Sequence, residues 1–378
     1  MLVVALIVAI VLILISIKRY GKIFNPYTLE VYIPILFILL PQFFWLFVSP
    51  TATTYIYSDL AIITYLVAIF LGTMVKIKGI KLKPIINISV VNGFNLLLYI
   101  ALIIPLIFYF SRFSLSFVGI REFYESVVFS EYASLFELSK YVLYFLIIFR
   151  LFRTDKFDVI TILLSLLLLL YGSKYALFDL IVILFIYYEQ FRRLSIKRFI
   201  ALALITGALF VSYRYYQTEG QSSVFRTALA YFDLYENQSL LIKAILEENH
   251  GYYYGQIHFS SYLKYIPRAL WKDKPRAFGF AILNYDFYPK QAAEGYMPAF
   301  GLGSIFADFG YLSLLIVGFF SGMLKNYLYQ IYLESKNNIS FILFAFPLTF
   351  VIIVFLSLQL FVDFLVRAMD WKKETSVT

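Results

Sequence analysis

Apolar residues along this chain gather in long unbroken runs instead of alternating with polar ones. The runs cover 1–17, 31–49, 59–75, 93–110, 136–152, 157–172, 175–190, 199–214, 299–324 and 339–365. A helix needs roughly 20 apolar residues to cross a bilayer core, and these runs fall near that length. Nothing alternates with period two as barrel strands do, and lipid offers backbone groups no partners, so each run predicts a transmembrane α-helix. The fold class expected is all-α: a polytopic integral membrane protein of about ten transmembrane helices. No repeat, heptad or linker interrupts it, so 1–378 reads as a single transmembrane domain.

Basic residues between the runs set the orientation. Lys18, Arg19 and Lys22 follow the first run, and Lys76, Lys78, Lys81 and Lys83 the third. Arg150, Arg153 and Lys156 follow the fifth, Arg192, Arg193, Lys197 and Arg198 the seventh, and Lys325 and Lys336 the ninth. Every second connection is basic, as cytoplasmic loops are, which puts the N-terminus outside. Residues 157–190 are read as two helices, with Gly172-Ser173-Lys174 as a tight outer turn. A single helix of that length would span about 50 Å, against a hydrocarbon core of about 30 Å.

The outer connections are uneven. Those at 50–58 and 172–174 are short, the one at 111–135 is medium, and one large external loop runs from Tyr215 to Pro298. Its wealth of Tyr, Phe, Leu and Ile is the composition of a folded segment. Within it, Phe225 to Glu248 reads as an amphipathic helix that lies on the membrane surface or caps the bundle. Leu229, Phe232, Leu240, Leu241 and Ile245 are its expected apolar contributors.

Composition agrees with the pattern. Hydrophobic residues make up 62% of the chain and charged residues 15%, whereas soluble domains are about half apolar and about a quarter charged. There is no cysteine, which excludes disulfides, thiolate nucleophiles and cysteine metal sites. The first run lacks a basic leader and no small-residue cleavage site follows it, so it reads as a retained helix. The net charge of +9 sits mostly in short loops, where it sets topology and meets anionic membrane lipid. Nucleic acid is not an expected partner.

Candidate chemistry concentrates in the large loop. Lys264, Arg268, Lys272, Lys274 and Arg276 lie close together there, opposed only by Asp273. Their place outside is not explained by the charge rule. Two readings are open: forked guanidiniums and ammonium groups that grip phosphate or diphosphate oxygens, or contact with anionic headgroups and solvent. Lys174, Arg214, Arg226 and Arg367 add cations at outer helix ends, where each must snorkel or find a partner. Asp179, inside the seventh run, is read as paired with Lys174 or another cation, with a catalytic role as the alternative.

Candidate general bases are few. His250 and His258 are the chain's two histidines, and Glu294 and Asp308 flank the start of the ninth run. A base near neutral pKa could deprotonate a sugar hydroxyl. His258, Glu294 and Asp308 are therefore the catalytic candidates, each also open to a structural or solvent-facing role. Zinc spacing, an aspartate-rich cation motif and a phosphate-binding glycine loop are all lacking, so no metal or other cofactor is expected. Gly318 and Gly322 form a small-xxx-small pair suited to helix packing. Most of the loop tyrosines suit a membrane interface; stacking on sugar rings is the alternative.

At the segment Ile266-Pro267-Arg268-Ala269-Leu270-Trp271-Lys272-Asp273-Lys274-Pro275 the chain resembles the IPR-x-hW-x-DKP pattern in the outer loop of Wzy-type O-antigen polymerases. These belong to the oligosaccharide repeat-unit polymerases. The spacing from Arg268 to Gly279 is similar to an Arg-x10-Gly spacing of that family. Gly301-Leu302-Gly303, Ala307-Asp308-Phe309-Gly310 and Gly318 resemble the helix that closes the family's loop. Gly172-Ser173-Lys174 stands where members often carry Gly-Ser-Arg, and Phe361 to Asp370, with Arg367, resembles the final helix–Arg–Asp region.

The resemblance implies a metal-independent, GT-C-like glycosyltransferase of the bacterial cytoplasmic (inner) membrane, with its loop on the periplasmic side. Such an enzyme transfers a growing glycan from an undecaprenyl diphosphate carrier to the non-reducing end of another carrier-linked repeat unit. O-antigen, capsular polysaccharide or exopolysaccharide results, and a chain-length regulator and a flippase would be partners. On this reading Lys174, Arg214, Arg268, Lys272, Lys274, Arg276 and Arg367 hold diphosphate or glycan. The alternatives are an O-antigen ligase, which shares the lipid donor, and a flippase or transporter of lipid-linked oligosaccharide. A transporter should show internal symmetry and charges along the depth of the bundle.

Overall fold

The computed structural model describes residues 1–49, 53–78, 133–154, 158–168, 174–192, 234–263, 271, 273, 275, 277–293 and 298–345. The expected helices at 93–110 and 199–214, most of the one at 339–365, and residues 215–233 of the loop lie outside them. Among the described residues every regular element is a helix. In chain order these are α1 (Leu2–Tyr20), α2 (Thr28–Val48), α3 (Ile56–Met74), α4 (Ala133–Thr154), α5 (Val159–Leu167) and α6 (Lys174–Arg192). There follow α7 (Tyr235–Glu247), α8 (Gln256–Leu263), α9 (Phe280–Phe287), α10 (Pro289–Ala293), α11 (Gly303–Phe309), α12 (Tyr311–Ser335) and α13 (Asn338–Ala345). Among the described residues, α1, α2, α3 and α12 are long and apolar enough to cross a membrane.

Polar side chains at one end of the bundle fix the helix directions. Tyr20, last in α1, donates its hydroxyl to the Thr73 carbonyl of α3 and to Asn326 Oδ1 of α12, each at 3.1 Å. Asn326 in turn donates from Nδ2 to the Val75 carbonyl at 2.9 Å, taking up an acceptor that the end of α3 leaves open. Helices α1, α3 and α12 therefore run the same way and α2 runs back between α1 and α3. At this same end Glu189 of α6 accepts the backbone N–H groups of Ile23 and Phe24, at 2.5 and 2.8 Å. Arg150 of α4 forks onto Asp158 just before α5, and the Tyr187 hydroxyl of α6 donates to the Leu151 carbonyl of α4 at 3.1 Å. So α6 returns to the end from which α5 leaves. The chain between 157 and 190 doubles back as expected; of the expected turn at 172–174, Lys174 instead begins α6, and 172–173 lie outside the described residues.

The α3–α12 contact is made by glycines. A Cβ at Gly322 would collide with the Ile69 carbonyl, and one at Gly72 with the Phe319 carbonyl. At Gly318 it would lie 2.9 Å from the Ala68 Cβ. The Gly318–Gly322 pair is thus a packing motif, as its spacing predicts, with Gly72 as its counterpart on the facing helix. Gly322→Ala should force the two backbones apart and cost about 1–3 kcal/mol, read as a lowered thermal midpoint in detergent.

Helix α2 carries a π-helical segment, Ile35–Leu39, immediately after Pro34. Proline lacks an N–H and crowds the preceding turn, and such a break in the ladder is where π segments form. Within it the Phe37 carbonyl accepts the backbone N–H of Leu234, the residue before α7, at 3.0 Å.

Three expectations need correction. The ninth run is not one helix: Gly310, at φ 65° and ψ −140°, breaks it into α11 and α12. That backbone region is open essentially to glycine alone. Second, α12 continues past 324 to Ser335, so Lys325 is not a basic flank of the span. It sits inside the bundle, 1% exposed, with Nζ 3.6 Å from Glu30 Oε1 of α2. Third, in the loop helix Leu240 points to the exterior, while Tyr235, Gln238, Leu241, Ile242 and Ile245 form the buried face. Leu229 and Phe232 lie outside the described residues. That buried face packs on α3, α11 and the π segment, so α7 caps the bundle.

Candidate functional site

The cap is tied to the spans by buried hydrogen bonds. Gln238 donates from Nε2 to Ser58 Oγ and accepts the Leu302 N–H on Oε1, both at 3.0 Å. Tyr235 donates its hydroxyl to Asp59 Oδ1 at 2.7 Å and accepts the Tyr55 N–H at 2.9 Å. Burial, then the neighbouring Asp59, pushes the Tyr235 hydroxyl up from the ordinary tyrosine range, so it stays a donor. At the rim the Tyr253 hydroxyl donates to Asp286 Oδ2 at 2.6 Å; burial and that carboxylate push it up too. His250 stacks on Phe287 and Tyr253, with ring centres 5.0 and 5.7 Å away, which is a packing role.

Asp308 organises the centre of this layer. It lies near the end of α11 and is almost fully buried. Its Oδ1 accepts the backbone N–H groups of Gly255 and Ile257, each at 3.0 Å, and Oδ2 accepts that of His258 at 2.8 Å. These are N–H groups that the first turn of α8 cannot satisfy internally, and the carboxylate also opposes the positive end of the helix. In this geometry Asp308 anchors α8. Asp308→Asn leaves an amide nitrogen facing an N–H donor, and should cost about 1.5–3 kcal/mol. A lowered thermal midpoint with loosened hydrogen-exchange protection over 255–263 would show it; unchanged protection would count against the anchor.

Helix α8 places His258 on a cavity of 310 Å³. Glu30, Tyr32, Ile33 and Ile38 of α2 line it, with Tyr65 of α3, Leu302, Ile305 of α11, and Val317, Ser321 and Lys325 of α12. Val317, Ser321 and Lys325 recur every four residues, so this wall follows one helix face for about 12 Å. His258 and the Gly301–Leu302 turn stand towards the capped end, and the Glu30–Lys325 pair stands at the far one.

The basic segment begins and ends on α8. It leaves after Leu263, and at its other end the Gly279 N–H donates to Ser260 Oγ at 2.8 Å. Gly279 has φ +57°, and a Cβ there would lie 3.0 Å from the Ser261 Cβ. Both the conformation and the close approach call for glycine, which gives the glycine of the Arg-x10-Gly spacing its physical reason. Trp271 packs edge-on against Phe278, with ring centres 5.9 Å apart.

Of the site residues expected from sequence, His258 and Asp308 are thus brought together on the first turn of α8. Lys174 is the first residue of α6; its side chain, and Glu294, Arg214, Arg268, Lys272, Lys274, Arg276 and Arg367, lie outside the described residues. Asp179 lies along α6, half-buried. The expectation overlooked Glu30 and Lys325. Their signal was present: Leu328, Tyr329, Ile331 and Tyr332 carry the apolar helical period beyond Lys325, and an ionisable group inside a span marks a partner or a site.

Apolar spans, a folded layer closing one end and an ion pair within the bundle define a multi-pass helical membrane protein. Two curated proteins called O-antigen polymerase, from Salmonella typhimurium (strain LT2) and Salmonella typhi, are its relatives. Each is 29% identical over 366 aligned residues, covering 88% of this chain and 84% of the relative. The likeness to O-antigen polymerases seen in the loop segment therefore extends along most of the chain. No protein-family model matches the chain. No solved structure matches it either.

Proposed function

We propose that this chain polymerises undecaprenyl-diphosphate-linked oligosaccharide repeat units into O-antigen or a capsular or exopolysaccharide. The transfer takes place at the outer face of the cytoplasmic membrane. The observation that carries this reading is the similarity, over 88% of the chain, to two proteins named O-antigen polymerase. The pinning of both ends of the basic segment to the helix that bears His258 supports it.

The chemistry follows from the residue types. A hydroxyl oxygen of the acceptor repeat unit bonds to the anomeric carbon of the donor glycan. The bond from that carbon to the carrier diphosphate breaks, and the diphosphate leaves with the electron pair. Arg268, Lys272, Lys274 and Arg276, with Lys174, Arg214 and Arg367, offset its developing charge. His258 takes the acceptor proton, with Glu294 and Asp308 as the other candidates. No metal or nucleotide cofactor is needed in this scheme, and a flippase and a chain-length regulator serve as partners.

One observation favours a second reading. The Glu30–Lys325 pair lies on a cavity within the bundle, and ionisable groups within a bundle commonly mark a transport pathway. Expression in cells that make repeat units but lack their own polymerase separates the two. Long glycan chains are expected on the surface; single repeat units alone would sink the polymerase reading. Rescue of flippase-deficient cells instead would establish transport.

A further inference from the structure

Among the described residues, four apolar side chains at the capped end form an exposed patch. Tyr254, Phe259 and Leu312 are 74%, 69% and 58% exposed, and Phe309 is exposed beside them. They come from three elements held in register by backbone hydrogen bonds. The Tyr254 N–H donates to the Asp308 carbonyl at 3.1 Å, and the Tyr253 N–H to that of Ala307 at 2.9 Å. The Tyr254 and Phe309 rings meet edge-on, with centres 6.3 Å apart. Gly255 lies beneath the rings: a Cβ there would be 2.8 Å from Phe259 Cδ2 and 3.8 Å from Phe309 Cε2. Leu312 follows Phe309 across the Gly310 break.

This patch does not stop at the loop. Leu312, Leu315, Ile316 and Phe320 are spaced as one face of α12, and all are exposed. Helix α12 is long and apolar enough to cross a membrane, which sets that face against acyl chains, and the aromatic patch continues it upward. Lone exposed apolar residues are ordinary, but a contiguous aromatic surface joined to a lipid-facing stripe has a defined neighbour. Aromatic rings with one polar edge, such as Tyr254, favour the boundary between acyl chains and headgroups.

We infer that the α8–α11 face of the loop layer, made of Tyr254, Phe259, Phe309 and Leu312, is seated in the lipid leaflet at the capped end. The layer is then dipped into the headgroup zone on this side instead of standing clear of it in water. His258, next to Phe259, comes to the depth at which the phosphates of lipid headgroups lie.

The absence of cysteine allows a direct test without removing any native thiol. Single-cysteine variants Tyr254→Cys, Phe259→Cys and Leu312→Cys, spin-labelled in phosphatidylcholine–phosphatidylglycerol vesicles, report collisions with oxygen and with a water-soluble nickel chelate. Leu315→Cys gives the reference within lipid, and Lys243→Cys, on the solvated face of α7, the reference in water. The oxygen-to-nickel ratio at 254, 259 and 312 should exceed that at 243 severalfold and approach that at 315. Ratios matching position 243 would overturn the proposal, whether the patch then faces solvent, a glycan or another protein. The readout is a depth and not an activity, so it stands or falls apart from the polymerase reading.

Discussion

Replacing Lys325 by methionine is expected to remove most of the folded protein from detergent extracts. The ammonium is 1% exposed and stands 3.6 Å from Glu30 Oε1, itself 13% exposed. Deleting one member of a buried pair leaves the other's charge without compensation, which costs about 3–5 kcal/mol. A whole domain has only about 5–15 kcal/mol in reserve. The desolvation penalty disappears when both charges go, so Glu30→Leu with Lys325→Met should recover the monodisperse fraction and thermal midpoint. If the double variant behaves as badly as the single one, pairing is not what Lys325 supplies. The recovered double variant carries a second answer. Long glycan from it would make the pair a packing device between α2 and α12; single units from a well-folded protein would give the cavity's charges a part in the reaction.

The second large effect concerns rate instead of folding. Arg268→Ala, in cells without another polymerase, should leave surface glycan as single repeat units while the protein remains at its normal level. A forked guanidinium meets two oxygens of a departing diphosphate at once, and its contribution grows as charge develops. Loss of one such donor typically lowers turnover by about 10²–10³-fold. Arg268→Lys keeps the charge but not the fork, so it should fall between the two. Long chains from Arg268→Ala would remove the residue from the site, and total loss of surface glycan would point to flipping or ligation.

How far the sequence speaks depends on whether a feature is local. Helices α1 and α3 are legible because lipid leaves a run of apolar residues few alternatives. The Gly318–Gly322 pair is legible for a similar reason, since its spacing puts both on one helix face. The boundary at Gly310 is not, because apolar residues continue on both sides and only the backbone angles betray it. Lys325 misleads in the opposite direction: a lysine after an apolar run looks like the end of a span, and its pairing with Glu30, far away in sequence, helps make its burial tolerable. His258 stands out as a candidate because the chain has two histidines, and Asp308 because it flanks the start of the ninth run. What Asp308 does there rests on backbone donors some fifty residues earlier (from Gly255 to His258), which no spacing rule anticipates. The cavity facing His258 is illegible in the same way, since α2, α3, α11 and α12 each supply part of its wall.

Gly279 returns the chain to the helix it left. The excursion from Leu263 to Gly279 is therefore a handle: a closed length of chain whose two attachment points sit within one short helix. Neither attachment is made by a charged side chain: one is the chain leaving Leu263, the other the Gly279 N–H on Ser260 Oγ. Any movement of α8 therefore carries both ends of the handle together, and His258 with them.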